Sequence, residues 1–114
     1  MQEMKTLHEV CDAIGVTRRA VQGYEKRGLV VPSGKNKYGY LLYDYRAQQR
    51  IALIKRYQRL GFKLKDIEEL IDAPVYVVSE ALKRQIIRLK EDSKEREEII
   101  NMAQKWIDDM NHMT

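Results

Sequence analysis

Residues 6–28 read TLHEVCDAIGVTRRAVQGYEKRG and predict two short helices joined by a tight turn. Thr6 and Glu9 have the spacing of a capping box, in which the hydroxyl accepts from the backbone three residues on and the carboxylate reaches back. Apolar residues then recur at helical spacing as far as Gly15, which can take a positive φ and end the first helix. A helix-turn-helix is therefore expected.

The second helix of this motif is expected over residues 18–27, with Thr17 as its N-cap and Gly28 closing it. In helix-turn-helix proteins the first residues of the second helix enter the major groove, where arginine can pair with guanine and glutamine with adenine. The alternative is that the two arginines are solvated surface charges. The candidates for base contact are Thr17, Arg18, Arg19 and Gln22.

A hairpin, or wing, is predicted after the helix-turn-helix. The turn-rich residues 33–39 lie between Val30-Val31 and residues 40–43, which both have high strand propensity. Lys35 and Lys37 give the hairpin a basic tip.

Two further helices complete this part of the chain. Asp44 can cap a third helix over residues 45–60, and a fourth is expected over residues 64–71. Pro74 then breaks the chain, because proline cannot continue a helix. The residues of the third helix that can pack inward are Ile51, Ile54 and Tyr57.

One long helix of about 50 Å is predicted over residues 76–110, which contain neither glycine nor proline. Seven of nine heptad seam positions are apolar, as in a coiled coil, and only Ser93 and Arg96 interrupt them. The alternative is a single helix folded back along its own domain, but a second chain covers such a stripe more economically. The predicted dimerisation residues are Leu82, Ile86, Leu89, Ile100, Ala103, Ile107 and Met110.

Charge is unevenly distributed. Residues 1–72 hold 14 Lys/Arg against 9 Asp/Glu, net +5, and residues 73–114 hold 7 against 8, net −1. Within residues 17–37, six basic side chains are opposed only by Glu25. Such a patch suits a polyanionic partner, although a solvated basic face gives the same count.

Composition excludes several classes of protein. No apolar run approaches the roughly 20 residues that span a bilayer, and the polar first residues 1–5 are no signal peptide, so a cytoplasmic protein is expected. The one cysteine, Cys11, is expected to be a small core residue, and His8 and His112 have no zinc-site spacing. The sequence shows no nucleophile with a base and no phosphate-cradling loop, so no enzyme, metal or cofactor is predicted.

The order of elements resembles the MerR family along nearly the whole chain. The fragments that carry the resemblance are Gly15-Val16-Thr17, Tyr24-Glu25, Gly28-Leu29, Gly39-Tyr40 with Tyr43, and Leu60-Gly61-Phe62 with Ile67. The resemblance implies a mainly α fold, with a winged helix-turn-helix DNA-binding domain over residues 1–74. It further implies a dimerisation helix over residues 75–114 that forms an antiparallel coiled coil.

The resemblance also implies a function. A homodimer would bind double-stranded DNA at a pseudo-palindromic promoter site and regulate transcription, by distorting the promoter spacer for RNA polymerase or by occupying the site. Tyr24 is either a core aromatic or a phosphate contact through its hydroxyl. The DNA-binding candidates are Thr17, Arg18, Arg19, Gln22, Tyr24, Lys35, Lys37, Tyr38 and Tyr40.

Four residues depart from the family pattern. Gln22 and Leu41 stand where the family usually has arginines, Gly23 stands where it usually has a tyrosine, and Lys63 stands where it usually has a capping Ser or Thr. Two other functions stay open on the same fold: an architectural DNA-binding role, as in phage excision or chromosome organisation, and a protein-interaction adaptor that has lost DNA binding.

An effector site is not recognisable. The sequence reaches only Thr114, so a short form without a C-terminal effector domain is expected, and the effector is unknown. The apolar cluster near the end of the long helix is expected to pack at the dimer interface, with a small-ligand or partner pocket as the alternative. This cluster comprises Met102, Trp106, Met110 and Met113.

Overall fold

A computed structural model describes residues 4–112 and divides the chain between Ala73 and Pro74 into two units. Met113 and the first three residues of the polar start lie outside the described residues. The first unit contains α1 (Leu7–Ile14), α2 (Arg18–Lys26), α3 (Tyr45–Arg59), α4 (Leu64–Leu70) and three strands, β1 (Lys5–Thr6), β2 (Gly34–Lys35) and β3 (Leu41–Tyr43). The second unit is one helix, α5 (Val75–His112).

Local capping fixes where the first three helices begin. The Thr6 N–H donates to Glu9 Oε1 at 3.0 Å and the Glu9 N–H donates to Thr6 Oγ1 at 3.3 Å, so the predicted capping box is confirmed. Thr17 and Asp44 each accept from the backbone N–H three residues on, at 3.0 and 2.8 Å. Lys63, at the start of α4, makes no side-chain cap. The capping residues therefore lie where the sequence predicts them.

The sheet differs from the predicted hairpin. Its order is β1-β3-β2, with both pairs antiparallel, and β1 was not expected as a strand. Lys5 pairs with Tyr43, so the entry to α1 is hydrogen-bonded to the wing. The first strand of the wing is Gly34–Lys35 rather than Val30-Val31, so that part of the prediction was wrong.

The packing of the two valines explains the difference. Val30 is buried, Val31 is exposed, and Pro32 after them has no N–H to donate to a ladder. The Leu29 carbonyl accepts from Arg50 Nε, and the Arg50 guanidinium also holds the Asp72 carboxylate at 2.8 and 2.9 Å. The Leu29–Val31 segment is therefore held to α3 by the hydrogen bond from Arg50, and strand pairing begins only after Pro32.

The core of the first unit lies between the helices and β3. Ile51, Ile54 and Tyr57 are buried, as predicted for the inner face of α3. Cys11 is partly buried at the edge of this core, and burial raises the pKa of its thiol. The largest fully buried side chains are Tyr24, Tyr43, Ile51, Ile54, Ile67, Val10 and Val21.

The second unit is a continuous helix of 38 residues, about 57 Å long at 1.5 Å per residue. Along it Ala81 and Gln85 are buried, whereas most of the predicted seam is exposed in the single chain. Within residues 4–112, no helix joins sufficient length to sufficient apolar character to cross a membrane. The exposed large apolar side chains of α5 are Val75, Tyr76, Ile86, Ile87, Leu89, Ile99, Ile100, Met102, Trp106, Ile107 and Met110.

Candidate nucleic-acid interface

One face of α2 is exposed and basic. Arg18, Gln22 and Lys26 follow one another at i, i+4 and i+8, so they form a row along the helix, and Arg19 lies beside it. All four side chains are exposed, whereas Val21 and Tyr24 on the other side are buried. We call these four residues the α2 basic face. Its first turn follows Thr17, so the arginines lie at the exposed start of the helix.

The charges around this face are arranged so that its positive sign is preserved. Glu25, the one acidic residue of the region, accepts a hydrogen bond from the Tyr43 hydroxyl and is thereby held towards the core. Arg27 points elsewhere, because its guanidinium pairs with Glu68 of α4 at 2.9 Å. The positive charges that α2 presents on this face are therefore those of Arg18, Arg19 and Lys26.

The tip of the wing is built around Asn36. Its Oδ1 accepts from the N–H groups of Tyr38 and Tyr40, at 2.9 and 3.0 Å, and its backbone N–H donates to the Tyr40 carbonyl at 3.0 Å. Gly39 completes the turn at a φ of +82°. The tip is thus held by its own hydrogen bonds while its side chains remain free to meet a partner.

The wing tip presents two exposed tyrosines together with a lysine. The Lys37 ammonium lies 5.1 Å from the centroid of the Tyr38 ring, and the Tyr38 and Tyr40 rings are 6.4 Å apart. Tyr38 and Tyr40 are 71% and 63% exposed. An exposed ammonium beside aromatic rings and hydroxyl donors is well suited to phosphate and sugar contacts.

A cleft of about 490 Å³ joins the start of α2 to the wing. Arg18 and Tyr40, which lie on different elements, both line it, and so does His8 of α1. His8 Nε2 lies 3.3 Å from the Asp12 carboxylate, with both side chains exposed. The structure therefore brings one candidate from the helix and one from the wing to a common surface. The cleft is lined by Thr6, Leu7, His8, Arg18, Gly39, Tyr40 and Leu41.

Tyr24 is the one DNA-binding candidate that the structure places in the core. Its side chain is 1% exposed, and its hydroxyl donates to Gln58 Oε1 at 2.6 Å. Burial raises the pKa of this tyrosine. In the free chain Tyr24 is therefore a core aromatic with a hydrogen-bonded hydroxyl, and a phosphate contact by this hydroxyl stays a prediction.

Sequence reasoning missed three residues of this surface. Lys26 shares the α2 face through its i+8 spacing from Arg18, which the sequence could have shown. Asn36 organises the tip, and its position before a Tyr-Gly turn was the available signal. His8 lines the cleft only because β1 pairs with β3, which local sequence did not indicate.

Comparison with known proteins gives a family match over most of the first unit. The profile described as "MerR HTH family regulatory protein" matches residues 5–74. The mercuric resistance operon regulatory protein of Bacillus cereus is 35% identical over 63 residues, which is 55% of this chain and 48% of that protein. The chain thus spans about half the length of that relative.

Two solved structures extend the likeness along the whole fold. The N-terminal part of MtaN, the multidrug transporter activator of Bacillus subtilis, is 26% identical with a TM-score of 0.78, covering 90% of this chain and 97% of that one. HiNmlR, a MerR family regulator lacking the sensor domain, bound to promoter DNA, has a TM-score of 0.65 at 20% identity, covering 87% and 80%. The second likeness is one of fold alone. From the profile match and the fold together, the chain belongs to the MerR HTH family of regulatory proteins.

Proposed function

We propose that this chain is a homodimeric, sequence-specific regulator of transcription that binds a pseudo-palindromic site in promoter DNA. The observation that carries the proposal is the α2 basic face, exposed beside a wing whose tip also presents lysine and tyrosine. Helix-turn-helix proteins insert this end of the second helix into the major groove. The promoter-bound solved structure shares the fold.

The two elements have different roles in this proposal. Arg18, Arg19 and Gln22 lie in the first half of α2, so they read base edges through hydrogen bonds. Lys35 and Lys37, with the two exposed tyrosines of the tip, contact phosphate and sugar and fix the orientation of the protein. Thr17 caps α2 by accepting from the Ala20 N–H, which fixes the residue at which the helix begins.

Dimerisation follows from the exposed stripe of α5. Ile86, Leu89 and Ile100 are between 45% and 60% exposed in the single chain, which is unusual for large aliphatic residues at seam positions. A second copy covers this stripe, and with it Trp106 beside the stripe, whereas Met102 at heptad position c faces away from it. Two bound half-sites then let the dimer deform the DNA between them, the mode that presents a promoter spacer to RNA polymerase.

Selection of bound sequences from a random duplex pool tests the proposal. We expect enrichment of one inverted repeat, with the two half-sites about one or two helical turns apart. Anisotropy titrations at several salt concentrations on the selected duplex should then show affinity falling steeply with salt. Binding without sequence enrichment would favour an architectural role, and the absence of any salt-dependent binding would favour a protein-interaction adaptor.

A further inference from the structure

Between Leu82 and Met110, the apolar seam of α5 is interrupted only near its middle. Ser93 and Arg96 are its two polar positions, and both are exposed in the single chain. A polar residue buried opposite an apolar one costs stability, so polar seam positions select the pairing in which they meet each other. The position of these two residues therefore carries information about how a second copy aligns.

We propose that two copies of α5, antiparallel as the family resemblance implies, pair in the one register that sets Ser93 of each copy opposite Arg96 of the other. The proposal rests on the dimer proposed above and adds the alignment of its two helices. Antiparallel pairing sets a positions against d positions, and every other layer between Leu82 and Ile107 is then apolar against apolar. The remaining layers are Leu89 opposite Ile100, Ile86 opposite Ala103, and Leu82 opposite Ile107.

The charges of α5 support the same alignment. Residues 75–94 hold five basic and three acidic side chains, net +2, whereas residues 95–112 hold two and five, net −3. Antiparallel helices set these unlike halves together, and parallel helices would set like against like. In the proposed register Lys90 faces Glu97 of the second copy beside the seam, and Asp92 next to Ser93 offers a carboxylate to the opposing Arg96.

A shift of one heptad in either direction removes this match. One shift sets Arg96 opposite Ile86, and the other sets it opposite Ile100. Either one places a guanidinium in an apolar layer without the polar partner it needs. The proposed register is the only heptad alignment in which the two interruptions fall in the same layers.

Disulfide cross-linking of the full-length chain tests the register, with Cys11→Ser as the background so that no native thiol interferes. Leu89→Cys and Ile100→Cys are prepared separately and then mixed so that subunits exchange, under oxidised glutathione. A disulfide needs Cβ atoms about 4 Å apart, and among the engineered pairs only seam positions in the same layer come close to this separation. We expect covalent dimers in the mixture, at least tenfold more than in either variant alone.

Two further mixtures report the shifted registers. Leu89→Cys with Ile107→Cys links in one shifted register, and Leu82→Cys with Ile100→Cys links in the other. We expect both to stay at background. Efficient linking of a single variant to itself would show parallel helices, and efficient linking of a shifted pair would show another register; either result overturns the proposal.

Sedimentation of the same variants separates failure of the register from failure of the dimer. A dimer in which Leu89→Cys and Ile100→Cys do not link overturns the register and leaves the dimer intact, whereas a monomer overturns both. The role of the polar layers is tested by Ser93→Leu with Arg96→Leu. We expect this variant to stay dimeric while the shifted pairs begin to link, and an unchanged linking pattern would overturn the role assigned to these residues.

Discussion

Two buried tyrosines fix the orientation of α2. Tyr43 of β3 donates to Glu25, which joins the wing to α2, and Tyr24 of α2 donates to Gln58, which joins it to α3. Both rings are almost completely buried. The hydroxyls are thus the polar ends of core side chains, and each joins α2 to a different neighbour.

The first prediction compares these two bonds. Tyr43→Phe should lower the free energy of unfolding by about 1.5–3 kcal/mol, since it removes a hydrogen bond to a carboxylate. Tyr24→Phe removes a bond to a neutral amide and should cost about 0.5–1.5 kcal/mol. Urea unfolding of the two variants measures both values. A larger loss for Tyr24→Phe than for Tyr43→Phe would contradict this assignment.

The second prediction concerns alkaline pH. Burial, and then the hydrogen bond to Glu25, raise the pKa of Tyr43 well above its ordinary value of 10.0. The folded chain therefore keeps a proton that the unfolded chain releases, so this stability is present below about pH 10 and is lost as the pH rises through the folded pKa. Urea midpoints measured from pH 8 upwards should fall beyond pH 10, and Tyr43→Phe should reduce that fall. An equally steep fall in the variant would exclude Tyr43 as its source.

The third prediction separates base reading from phosphate contact. Arg18→Ala should cost about 1–3 kcal/mol of binding on the selected duplex and less on a scrambled one, because base contacts carry discrimination. Lys37→Ala should weaken both duplexes alike and reduce the salt slope by about one unit per lost phosphate contact. Anisotropy titrations on both duplexes provide the comparison.

Arg27→Ala is the matched control for these variants. It removes one positive charge from the same motif, but the Arg27 guanidinium pairs with Glu68 and lies off the α2 basic face. DNA affinity should stay within about twofold, because an exposed ion pair contributes little. Equal losses for Arg18→Ala and Arg27→Ala would mean that net charge alone, and not position, determines binding.

At the level of elements, the helices and the second strand of the wing, β3, could be predicted, whereas β1 and β2 could not. Thr6, Thr17 and Asp44 are capping residues whose signal lies within three positions, so the starts of three helices follow from local sequence. The strands are two or three residues long, too short to show alternation, and the pairing of Lys5 with Tyr43 depends on contacts far apart in sequence. Val30-Val31 was predicted to be a strand because valine favours buried positions as well as paired strands, and Val30 is buried here without strand pairing.

Within the candidate site, too, some features could be predicted from the sequence and others could not. The sequence identified the basic candidates, because the charge of a side chain follows directly from its residue type. These candidates are Arg18, Arg19, Lys35 and Lys37, and all four are exposed in the structure. Tyr24 and Tyr43 both belong to family motifs, but which hydroxyls face inward depends on α3 and β3 packing against α2. The sequence alone could not decide whether Tyr24 packs in the core or contacts a phosphate through its hydroxyl.

The fourth prediction concerns Gly23 in the middle of α2. A Cβ added there meets no atom within 4 Å, so alanine fits the structure without adjustment. Gly23→Ala should raise the free energy of unfolding by about 0.5–1 kcal/mol, because glycine in a helix interior loses more backbone freedom on folding. Gly15→Ala is the control, since space is equally open there but φ is +79°, and it should destabilise. Thermal unfolding that shows destabilisation by Gly23→Ala would contradict this reading.

The whole molecule combines a unit with a basic surface and a unit with an uncovered apolar stripe. In the proposed function the first unit supplies one set of DNA contacts, which is small for a specific protein–DNA complex. The proposed pairing through α5 would double those contacts and relate them by twofold symmetry, as an inverted repeat requires. Affinity for a palindromic site should therefore depend on seam residues that never touch DNA.

The fifth prediction tests this dependence with two neighbouring isoleucines. Ile86 lies in the seam and Ile87 beside it, and the two are 52% and 57% exposed in the single chain. Ile86→Glu places a carboxylate in an apolar layer of each copy, so the dimer should dissociate at least a hundredfold more readily, or about 3 kcal/mol. Ile87 is at heptad position b, which faces away from the second copy, so Ile87→Glu changes the charge equally but its dissociation constant should change by less than about fivefold.

Sedimentation over a range of concentrations and DNA titration complete the test. At concentrations where Ile86→Glu is monomeric, its affinity for the inverted repeat should fall towards that for a single half-site, while Ile87→Glu binds as the parent chain does. Circular dichroism of both variants controls for helix content. Equal dimerisation by Ile86→Glu and Ile87→Glu would show that the stripe of α5 is not the dimer interface, and undiminished binding by a monomeric Ile86→Glu would show that DNA recognition does not need the second copy.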